Sequence, residues 1–277
     1  MSRKDQREPD FELYCLPTNK KKVSLADFDT RDKSCFPDRD LAEAQAAEDI
    51  AVVAELQNRL YAEGKQALLI VIQATDTGGK DSTIRKVLGP INPQGVRVTS
   101  FKAPSSIELA HDYLWRIHRA VPAKGMIGVF NRSHYEDVMI VRVHELAPEE
   151  AIEQRYDQIN DFERHLSENH VTILKFFLHI SKDEQKERLQ ARLDDPSKHW
   201  KFNPRDLEER KHWDDYQEAF EIALSRCSTR FAPWFVIPAD RKWYRNAVIA
   251  RIIRRTLEDM DPHYPEAEHD LDGIVID

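Results

Sequence analysis

Five short apolar runs, separated by segments long enough to form helices, constrain the fold of this chain more than any other feature. The first run, at 67–72, is continuous, rich in branched side chains and flanked by polar residues, as expected for a strand buried on both faces. Comparable runs follow at 96–101, 126–130, 171–180 and 234–237. Strands that alternate with helical segments are typical of a parallel sheet covered by helices, so the sequence predicts a doubly wound α/β fold.

The segments around these runs divide the chain into three parts. The first 40 residues are polar, contain proline and show no clear period, which indicates an extended N-terminal arm rather than a core element. Apolar residues recur at helical spacing over 41–61, so an amphipathic helix is predicted before the first strand. The main domain is predicted over 41–260, followed by an acidic C-terminal tail at 261–277.

A highly charged segment at 181–216 lies between the fourth and fifth apolar runs. Pro196 and Pro204 interrupt it, and Asn203 before Pro204 is a typical start of a helix. Two charged helices joined by a turn resemble a lid, so we predict a helical lid over this segment.

Composition limits the classes of protein that this chain can belong to. With 277 residues, 41% of them hydrophobic, it is long enough for one globular unit with a sizeable core. A formal net charge of −8 argues against a general nucleic-acid binder, which must neutralise many phosphates. No stretch reaches the ~18 apolar residues of a membrane span and no apolar signal region follows the first residues, so we expect a cytoplasmic protein. The three cysteines lie far apart and outside any CxxC pattern, which predicts neither a disulfide framework nor a zinc site.

A glycine-containing turn follows the first apolar run directly and opens a predicted helix. Residues 74–81, Ala-Thr-Asp-Thr-Gly-Gly-Lys-Asp, are similar to the GxxxxGK[ST] phosphate-binding loop, or Walker A motif. Backbone N–H groups of such a loop hold a phosphate, and Lys80 adds a positive charge to the same oxygens. An ordinary strand-to-helix turn with a solvated Lys80 is the alternative. The phosphate-binding prediction covers Thr77, Gly78, Gly79, Asp81 and Ser82.

Two residues depart from the standard loop. Ala74 replaces the first glycine, and Asp81 stands where a metal-binding hydroxyl is expected. Both departures weaken the interpretation as a standard ATPase. Asp76 supplies a carboxylate inside the loop that can hold Mg²⁺ or orient an attacking phosphate oxygen.

The third apolar run ends at Asn131, where P-loop enzymes usually carry a carboxylate. An amide is a poorer Mg²⁺ ligand, so Glu136 or Asp137 must share the metal-binding or substrate-orienting role if this is a catalytic site. The alternative for each acid is a stabilising position near a helix N-terminus without a function.

Basic residues follow the ends of the predicted strands. Because parallel strands end on one rim of the sheet, four of them should lie near one another: Arg85, Lys86, Lys102 and Arg132. Arg188 and Arg192 are four residues apart on the first lid helix and share one face. They either reach inward to a ligand or pair with nearby acids.

Taken together, the loop at 76–81 and the later segment at 130–137 resemble the polyphosphate kinase 2 family. The resemblance covers roughly residues 20–257, and Asn131 with Glu136 is similar to the subgroup, often called class III, that phosphorylates both AMP and ADP. Five further segments look like that family: 101–104, 108–116, 200–202, 206–210 and 238–246.

The resemblance implies a three-layer P-loop kinase fold similar to thymidylate kinase, with a parallel sheet and a helical lid. It implies reversible transfer of a phosphoryl group from inorganic polyphosphate to AMP or ADP, with Mg²⁺ as cofactor and Mn²⁺ as its substitute. Adenine nucleotides are the expected partners, with guanine nucleotides as further acceptors, and the protein is expected to be a homo-oligomer, a dimer or tetramer. Neither nucleic acid nor a membrane is expected as a partner.

The resemblance also assigns roles to residues. Asp76 and Asp137 are expected near Mg²⁺, and Lys80 and Arg132 on phosphates; with Glu136 they form the expected catalytic set. Asn131, Arg188 and Arg192 are expected on the nucleotide side. Polyphosphate is expected along Arg85, Lys86 and Lys102, with Lys80 and Arg132 also binding it. The terminal phosphate of the nucleotide is expected to meet its end at Lys80, Asp76 and Mg²⁺.

Two other functions stay open at this point. An ATP-dependent nucleotide kinase on the same core differs only in its phosphoryl donor. A non-catalytic phosphate-binding or GTPase-like module is the other, but no Asn-Lys-x-Asp guanine motif follows the loop.

Overall fold

A five-stranded parallel sheet forms the centre of the molecule. The computed structural model describes residues 11–18, 22–267, 269 and 276. The strands lie in the order β2-β3-β1-β4-β5, and each predicted strand is confirmed to within one residue at either end. Their bounds are β1 Ala67–Gln73, β2 Val96–Ser100, β3 Ile127–Asn131, β4 Val171–His179 and β5 Trp234–Pro238.

The helices of the described chain include four long ones that cover the sheet and several single turns that shape its rim. The α-helices are α1 Arg39–Glu63, α2 Lys80–Thr83, α3 Ser106–Leu109, α4 Trp115–His118, α5 Ile140–Val143, α6 Glu149–Glu168, α7 Lys182–Leu193, α8 Arg205–Lys211, α9 Trp213–Cys227 and α10 Lys242–Met260. A π-helical segment, Ile84–Leu88, continues α2. Short 3₁₀ turns lie at Phe11–Tyr14, Leu25–Asp27, Pro93–Gly95, His134–Asp137 and Pro196–Lys201.

Alternate side chains of β1 contribute to two apolar clusters, one on each face of the sheet. Leu68, Ile70 and Ile72 belong to the cluster that includes α1 and α10. Leu69 and Val71 belong to the cluster that includes α6 and α9. Each of these five side chains is at most 1% exposed, and burial of one such side chain contributes roughly 1.5–3 kcal/mol. The helix, sheet, helix layering confirms the predicted three-layer α/β architecture.

The helix before the first strand is longer than predicted. It begins after Asp38, whose side chain accepts a hydrogen bond from the Leu41 N–H, and ends at Gly64, whose φ is 63°. An aspartate N-cap and a left-handed glycine are the usual ends of a helix. The prediction over 41–61 is therefore confirmed and extended by two residues at each end.

The N-terminal segment contributes more to the core than the sequence indicated. Tyr14, Leu16, Leu25 and Phe36 are 3–4% exposed, and the Tyr14 hydroxyl is hydrogen-bonded to the Tyr244 hydroxyl. The expectation that this part is no core element was wrong, because 3₁₀ turns and extended stretches place single apolar side chains without a period. Residues 1–10 and 19–21 of the predicted arm, and most of the tail beyond 267, lie outside the described residues, and the division into domains stays a prediction.

The charged segment after β4 forms the predicted pair of helices. α7 is followed by the turn Pro196–Lys201 and then by α8. α8 begins at Arg205, one residue later than predicted, and Asn203 Oδ1 accepts a hydrogen bond of 3.0 Å from the Arg205 N–H. Within the described chain, no helix has both the length and the apolar character needed to cross a bilayer.

Candidate active site

The chain turns sharply where β1 ends, and the turn has the backbone conformation of an anion-binding loop. Thr77 and Gly79 adopt left-handed conformations, with φ of 62° and 102°, and such residues build the concave arrays of N–H groups that hold anions. A Cβ on Gly78 would lie 2.4 Å from the Cβ of Ala74. The loop therefore accommodates alanine at position 74 because residue 78 is glycine.

Lys80 lies across this loop. Its Nζ donates hydrogen bonds to the carbonyl oxygens of Ala74 at 3.0 Å and Thr75 at 3.4 Å. Burial lowers the pKa of Lys80, and the nearby positive charge of Arg132 lowers it further, while Asp76 opposes this effect. The ammonium group thus sits where an anion in the loop would improve its electrostatic environment.

Arg132 brings the predicted catalytic carboxylates together. It follows β3 with a left-handed φ of 63°, and its guanidinium lies 3.1 Å from Asp76 Oδ1 and 3.8 Å from Glu136 Oε2. Burial raises the pKa of Glu136, against the lowering effect of Arg132 and Lys80. Four of the five predicted catalytic residues, Asp76, Lys80, Arg132 and Glu136, therefore form one cluster.

Asp81 and Asn131 meet at the mouth of the loop. Asn131 Nδ2 donates a hydrogen bond of 2.6 Å to Asp81 Oδ1. This contact is possible because β1 and β3 are neighbours in the sheet, with Ile72 opposite Asn131. Two of the three residues that depart from a standard P-loop enzyme are thus direct partners.

Asp137 has different partners from the other predicted acids. Its carboxylate is 3.7 Å from Arg116, and its backbone carbonyl accepts a hydrogen bond of 2.8 Å from Arg155. Asp137 does not line the cavity that Asp76 and Glu136 share. Asp76 and Asp137 therefore have different partners in this structure, and a metal site that they share stays a prediction.

The arginines of the lid are held by protein groups. Arg188 forms an ion pair with Glu184 at 2.7 Å, four residues before it, and its Nη1 donates to the carbonyl oxygens of Thr77 and Gly78, each at 3.0 Å. Arg192 pairs with Asp206 at 3.1 Å. The interpretation that they pair with nearby acids therefore holds for both arginines in this structure. Arg188 also contacts the phosphate loop, through the backbone carbonyl oxygens of the loop.

The Ser82 hydroxyl is also hydrogen-bonded to protein groups. Its hydroxyl donates a hydrogen bond of 2.8 Å to the Gly79 carbonyl and accepts one of 3.1 Å from Arg245. The hydroxyl therefore fixes the start of α2.

The cavity beside the loop is lined by both polar and apolar side chains. Its polar lining combines core residues with lid residues: Asp76, Arg132, Glu136, Gln185, Asn203, Arg205, Asp206 and Glu209. Its apolar wall is formed by Met139, Ile140, Trp213 and Phe220, with Tyr216 beside them. A flat apolar group carrying phosphates fits such a lining, with the phosphates at the P-loop.

Several of these lining residues were not predicted from the sequence. Asp206 sits in a run of charges that resembles a solvated helix face, and burial near Asp76 raises its pKa. Met139 and Ile140 continue an apolar pattern that packs against the sheet. No local signal separates them from core residues, because the lid and the loop approach one another only in the folded chain.

Three of the predicted polyphosphate-binding residues lie outside this cavity. Arg85, Lys86 and Lys102 are exposed, and none of them forms an ion pair with a carboxylate of the described residues. Arg85 and Lys86 lie on the π-helical segment directly after α2, and Lys102 lies two residues after β2. These three exposed cations, called the basic rim below, follow the carboxyl ends of β1 and β2, at the edge of the sheet that carries the phosphate loop.

Comparison with known proteins identifies the family. The model of the polyphosphate kinase 2 family matches residues 37–265. The chain belongs to the polyphosphate kinase 2 family. A relative from Meiothermus ruber, named AMP/ADP-polyphosphate phosphotransferase, is 52% identical over 260 residues, which are 92% of this chain and 96% of the relative.

Two other comparisons agree with this membership. An ADP-polyphosphate phosphotransferase from Rhodopseudomonas palustris is 44% identical, over 88% of this chain and 89% of its own. The crystal structure of polyphosphate kinase 2 from Arthrobacter aurescens TC1 superposes with a TM-score of 0.90 at 45% identity and covers 94% of this chain and 93% of that chain. The predicted family and its P-loop kinase fold are confirmed.

A buried polar network anchors the turn that carries Glu136 in this polyphosphate kinase 2 chain. Lys175 Nζ lies 2.5 Å from Glu163 Oε2, and Glu163 Oε1 accepts hydrogen bonds from the Tyr135 hydroxyl at 2.9 Å and contacts His134 Nε2 at 3.1 Å. All four residues have a relative exposure of 0%. No local sequence pattern predicts this network, because Lys175 stands alone inside an apolar run.

The carboxylates of the site fit one magnesium ion that is held partly by substrate. Within the described residues, no three His, Cys, Asp or Glu side chains converge closely enough to bind a metal by themselves. Mg²⁺ usually takes one or two protein carboxylates together with water and substrate phosphates. Asp76 suits this role, since it is partly exposed beside the loop and only its Oδ1 contacts Arg132.

Proposed function

We propose that this protein transfers a phosphoryl group from inorganic polyphosphate to AMP and to ADP, reversibly, giving ADP and ATP. The observation that carries the proposal is the cluster of Asp76, Lys80, Arg132 and Glu136 at the phosphate loop, beside a cavity that has both polar and apolar lining. The names of the relatives from M. ruber and R. palustris support the donor and the acceptors.

The chemistry needs no covalent enzyme intermediate. The bond between the terminal phosphorus of polyphosphate and its bridging oxygen breaks. A terminal phosphate oxygen of the nucleotide forms the new bond to that phosphorus. The bridging oxygen keeps the electron pair, so polyphosphate leaves one unit shorter. Such transfers depend mainly on alignment and on neutralising charge spread over the phosphoryl oxygens.

Each residue of the cluster has a part in that alignment. Lys80 and Arg132 would neutralise phosphoryl oxygens, and Asp76 and Glu136 would hold Arg132 in place. When bound, Mg²⁺ neutralises phosphate charge, and Asp76 is the residue that we propose to hold it. Arg85, Lys86 and Lys102 would bind the remaining polyphosphate along the basic rim.

The test is a transfer assay without ATP. AMP or, in a second reaction, ADP is incubated with long-chain polyphosphate, Mg²⁺ and the protein, and nucleotides are separated over time beside a control without polyphosphate. We expect ADP first and ATP later. Formation of ADP without ATP would contradict the proposal that both AMP and ADP are acceptors. Absence of product from both AMP and ADP would favour an ATP-dependent nucleotide kinase.

The remaining expectations are proposals of the same kind. We expect Mn²⁺ to replace Mg²⁺, guanine nucleotides to serve as further acceptors, and the protein to be a cytoplasmic dimer or tetramer. The same assay with Mn²⁺ or GMP tests the first two, and light scattering coupled to gel filtration gives the mass of the assembly.

A further inference from the structure

Arg245 is a buried cation directly behind the phosphate loop. It lies in the first turn of α10 with a relative exposure of 0%. Its Nη2 donates to Ser82 Oγ at 3.1 Å and to Asn246 Oδ1 at 2.9 Å, and its Nη1 lies 3.5 Å from the Gly78 carbonyl oxygen. In the part of the chain that the structure describes, no carboxylate forms an ion pair with it. All its partners are neutral.

A second guanidinium converges on the same carbonyl from the lid. Arg188 Nη1 donates to the oxygens of Thr77 and Gly78, and its Nη2 donates to the Ala239 oxygen at 2.6 Å. Arg188 has Glu184 as its ion partner, which balances one of the two positive charges. One buried positive charge behind the loop is therefore left without a carboxylate.

The loop is shaped to admit this group. A Cβ on Gly79 would lie 2.0 Å from Arg245 Nη1, so any other residue at this position would displace the guanidinium. Gly79 also has a φ of 102°. The glycine thus serves both the turn and the close approach of Arg245 to the loop backbone.

A buried cation that lacks a negative partner is unfavourable in the unliganded protein. Burial lowers the pKa of Arg245 to about 9, and the charge of Arg188 contributes in the same direction. Arg245 is nevertheless protonated at neutral pH. A phosphate held on the opposite side of a thin loop would supply the missing negative charge, whereas hydrogen bonds to neutral groups do not.

We propose that Arg245 is a positioning residue of the phosphate loop. It holds the carbonyl oxygen of Gly78 on the side of the loop away from the phosphate site, and its buried charge strengthens the binding of a phosphate to the N–H groups on the other side. This inference rests on the proposed function, because that function supplies the phosphate. The anion is a phosphate group from either polyphosphate or the nucleotide. Arg245 itself does not touch the reacting atoms.

The experiment measures anion binding without turnover. The melting temperature of the full chain is recorded against increasing tripolyphosphate, and separately against ADP, for the wild type, Arg245→Met, Arg245→Lys and Val248→Ala. Val248 is buried on the same helix and belongs to the apolar cluster, so Val248→Ala lowers stability without altering the charge behind the loop.

We expect Arg245→Met to weaken binding of at least one ligand about tenfold or more, as loss of a charge-assisted contribution does. At pH 6, where a buried lysine is still protonated, Arg245→Lys keeps the positive charge and should stay within about threefold of the wild type. Val248→Ala should bind as the wild type does. The ligand that loses more affinity is the one whose phosphate occupies the loop. Unchanged binding by Arg245→Met, or no binding of either ligand by the wild type, overturns the inference.

If Arg245→Met does not fold, Arg245→Lys decides. A tenfold loss of affinity at pH 6 in a folded Arg245→Lys protein contradicts the role of the charge, and near wild-type affinity supports it. Failure of the proposed function is seen separately in the transfer assay, because an inactive wild type can still show the predicted pattern of phosphate binding.

Discussion

The side chains of Asn131 and Asp81 are joined by a hydrogen bond of 2.6 Å from the amide to the carboxylate. In many P-loop enzymes the loop position carries a serine or threonine hydroxyl and the strand position carries an aspartate, and the two hold Mg²⁺ together. In this chain the carboxylate stands on the loop and the neutral group on the strand. The site therefore keeps one negative charge in this pair but places it on the opposite partner.

Exchanging the two side chains tests whether the pair acts as a unit. Asn131→Asp alone places two carboxylates in direct contact, and we expect kcat/KM with AMP and polyphosphate to fall tenfold or more, because like charges at this distance repel. The double variant Asp81→Asn with Asn131→Asp restores one amide and one carboxylate. It should recover activity above either single variant, as coupled neighbours do. A double variant no more active than Asn131→Asp would contradict this interpretation.

Variants of Asp76 and Asp137 distinguish two interpretations of the metal site, one in which both residues bind Mg²⁺ and one in which only Asp76 does. The sequence predicts both near Mg²⁺, but the structure pairs Asp137 with Arg116 and leaves Asp76 beside Arg132. We therefore expect Asp76→Asn to lower kcat at least about a hundredfold and to raise the Mg²⁺ concentration needed for half-maximal rate. Asp137→Asn should leave that concentration within about twofold of the wild type.

The measurement for both variants is the initial rate as a function of Mg²⁺ at saturating AMP and polyphosphate. Asp183→Asn, an exposed carboxylate in the first turn of α7, serves as the matched control and should behave as the wild type. A large increase in the Mg²⁺ requirement of Asp137→Asn would show that Asp137 reaches the metal after a rearrangement.

Removing the basic rim should affect one substrate more than the other. In the triple variant Arg85→Ala, Lys86→Ala and Lys102→Ala, we expect the KM for long-chain polyphosphate to rise about tenfold, while the KM for AMP changes less than about twofold. The reason is that these exposed charges lie outside the cavity. The difference should shrink as salt is raised, because exposed charges are screened. An equal rise of both KM values would mean that the rim supports the fold or the whole site.

The strands and long helices could be predicted because their signals are local. The run at 67–72 is apolar throughout because it is buried on both faces, and α1 has both a capping aspartate and a final glycine. The phosphate loop was predicted for the same reason, since its glycines and Lys80 follow a strand directly. Such features depend on neighbours in sequence.

The partners inside the site could not be predicted in this way. Contact between Asp81 and Asn131 requires that β3 lies beside β1, although β2 comes between them in sequence. Arg188 was recognised by its spacing, but only the fold shows that it contacts loop carbonyls. Arg245 stands in an ordinary first helical turn, and its burial depends on where α10 packs against the loop.

The pair of Lys175 and Glu163 should make folding sensitive to acid. Burial alone would raise the pKa of Glu163, but the charge of Lys175 and the hydrogen bond from His134 outweigh it and lower that pKa below its ordinary value. An acid with a lowered pKa in the folded state stabilises the protein above its ordinary pKa and loses that contribution as the pH falls through the folded value.

We therefore expect Glu163→Gln to lower the free energy of unfolding by roughly 3–5 kcal/mol at pH 7, since it leaves Lys175 buried and unpaired. Urea unfolding of the wild type and Glu163→Gln from pH 7 downward checks this, and the difference should narrow only below the ordinary pKa of about 4.5. The double variant Glu163→Gln with Lys175→Met should lose less than the sum of the two single changes, because it removes the unpaired charge; strict additivity would show that the two groups do not act as a pair.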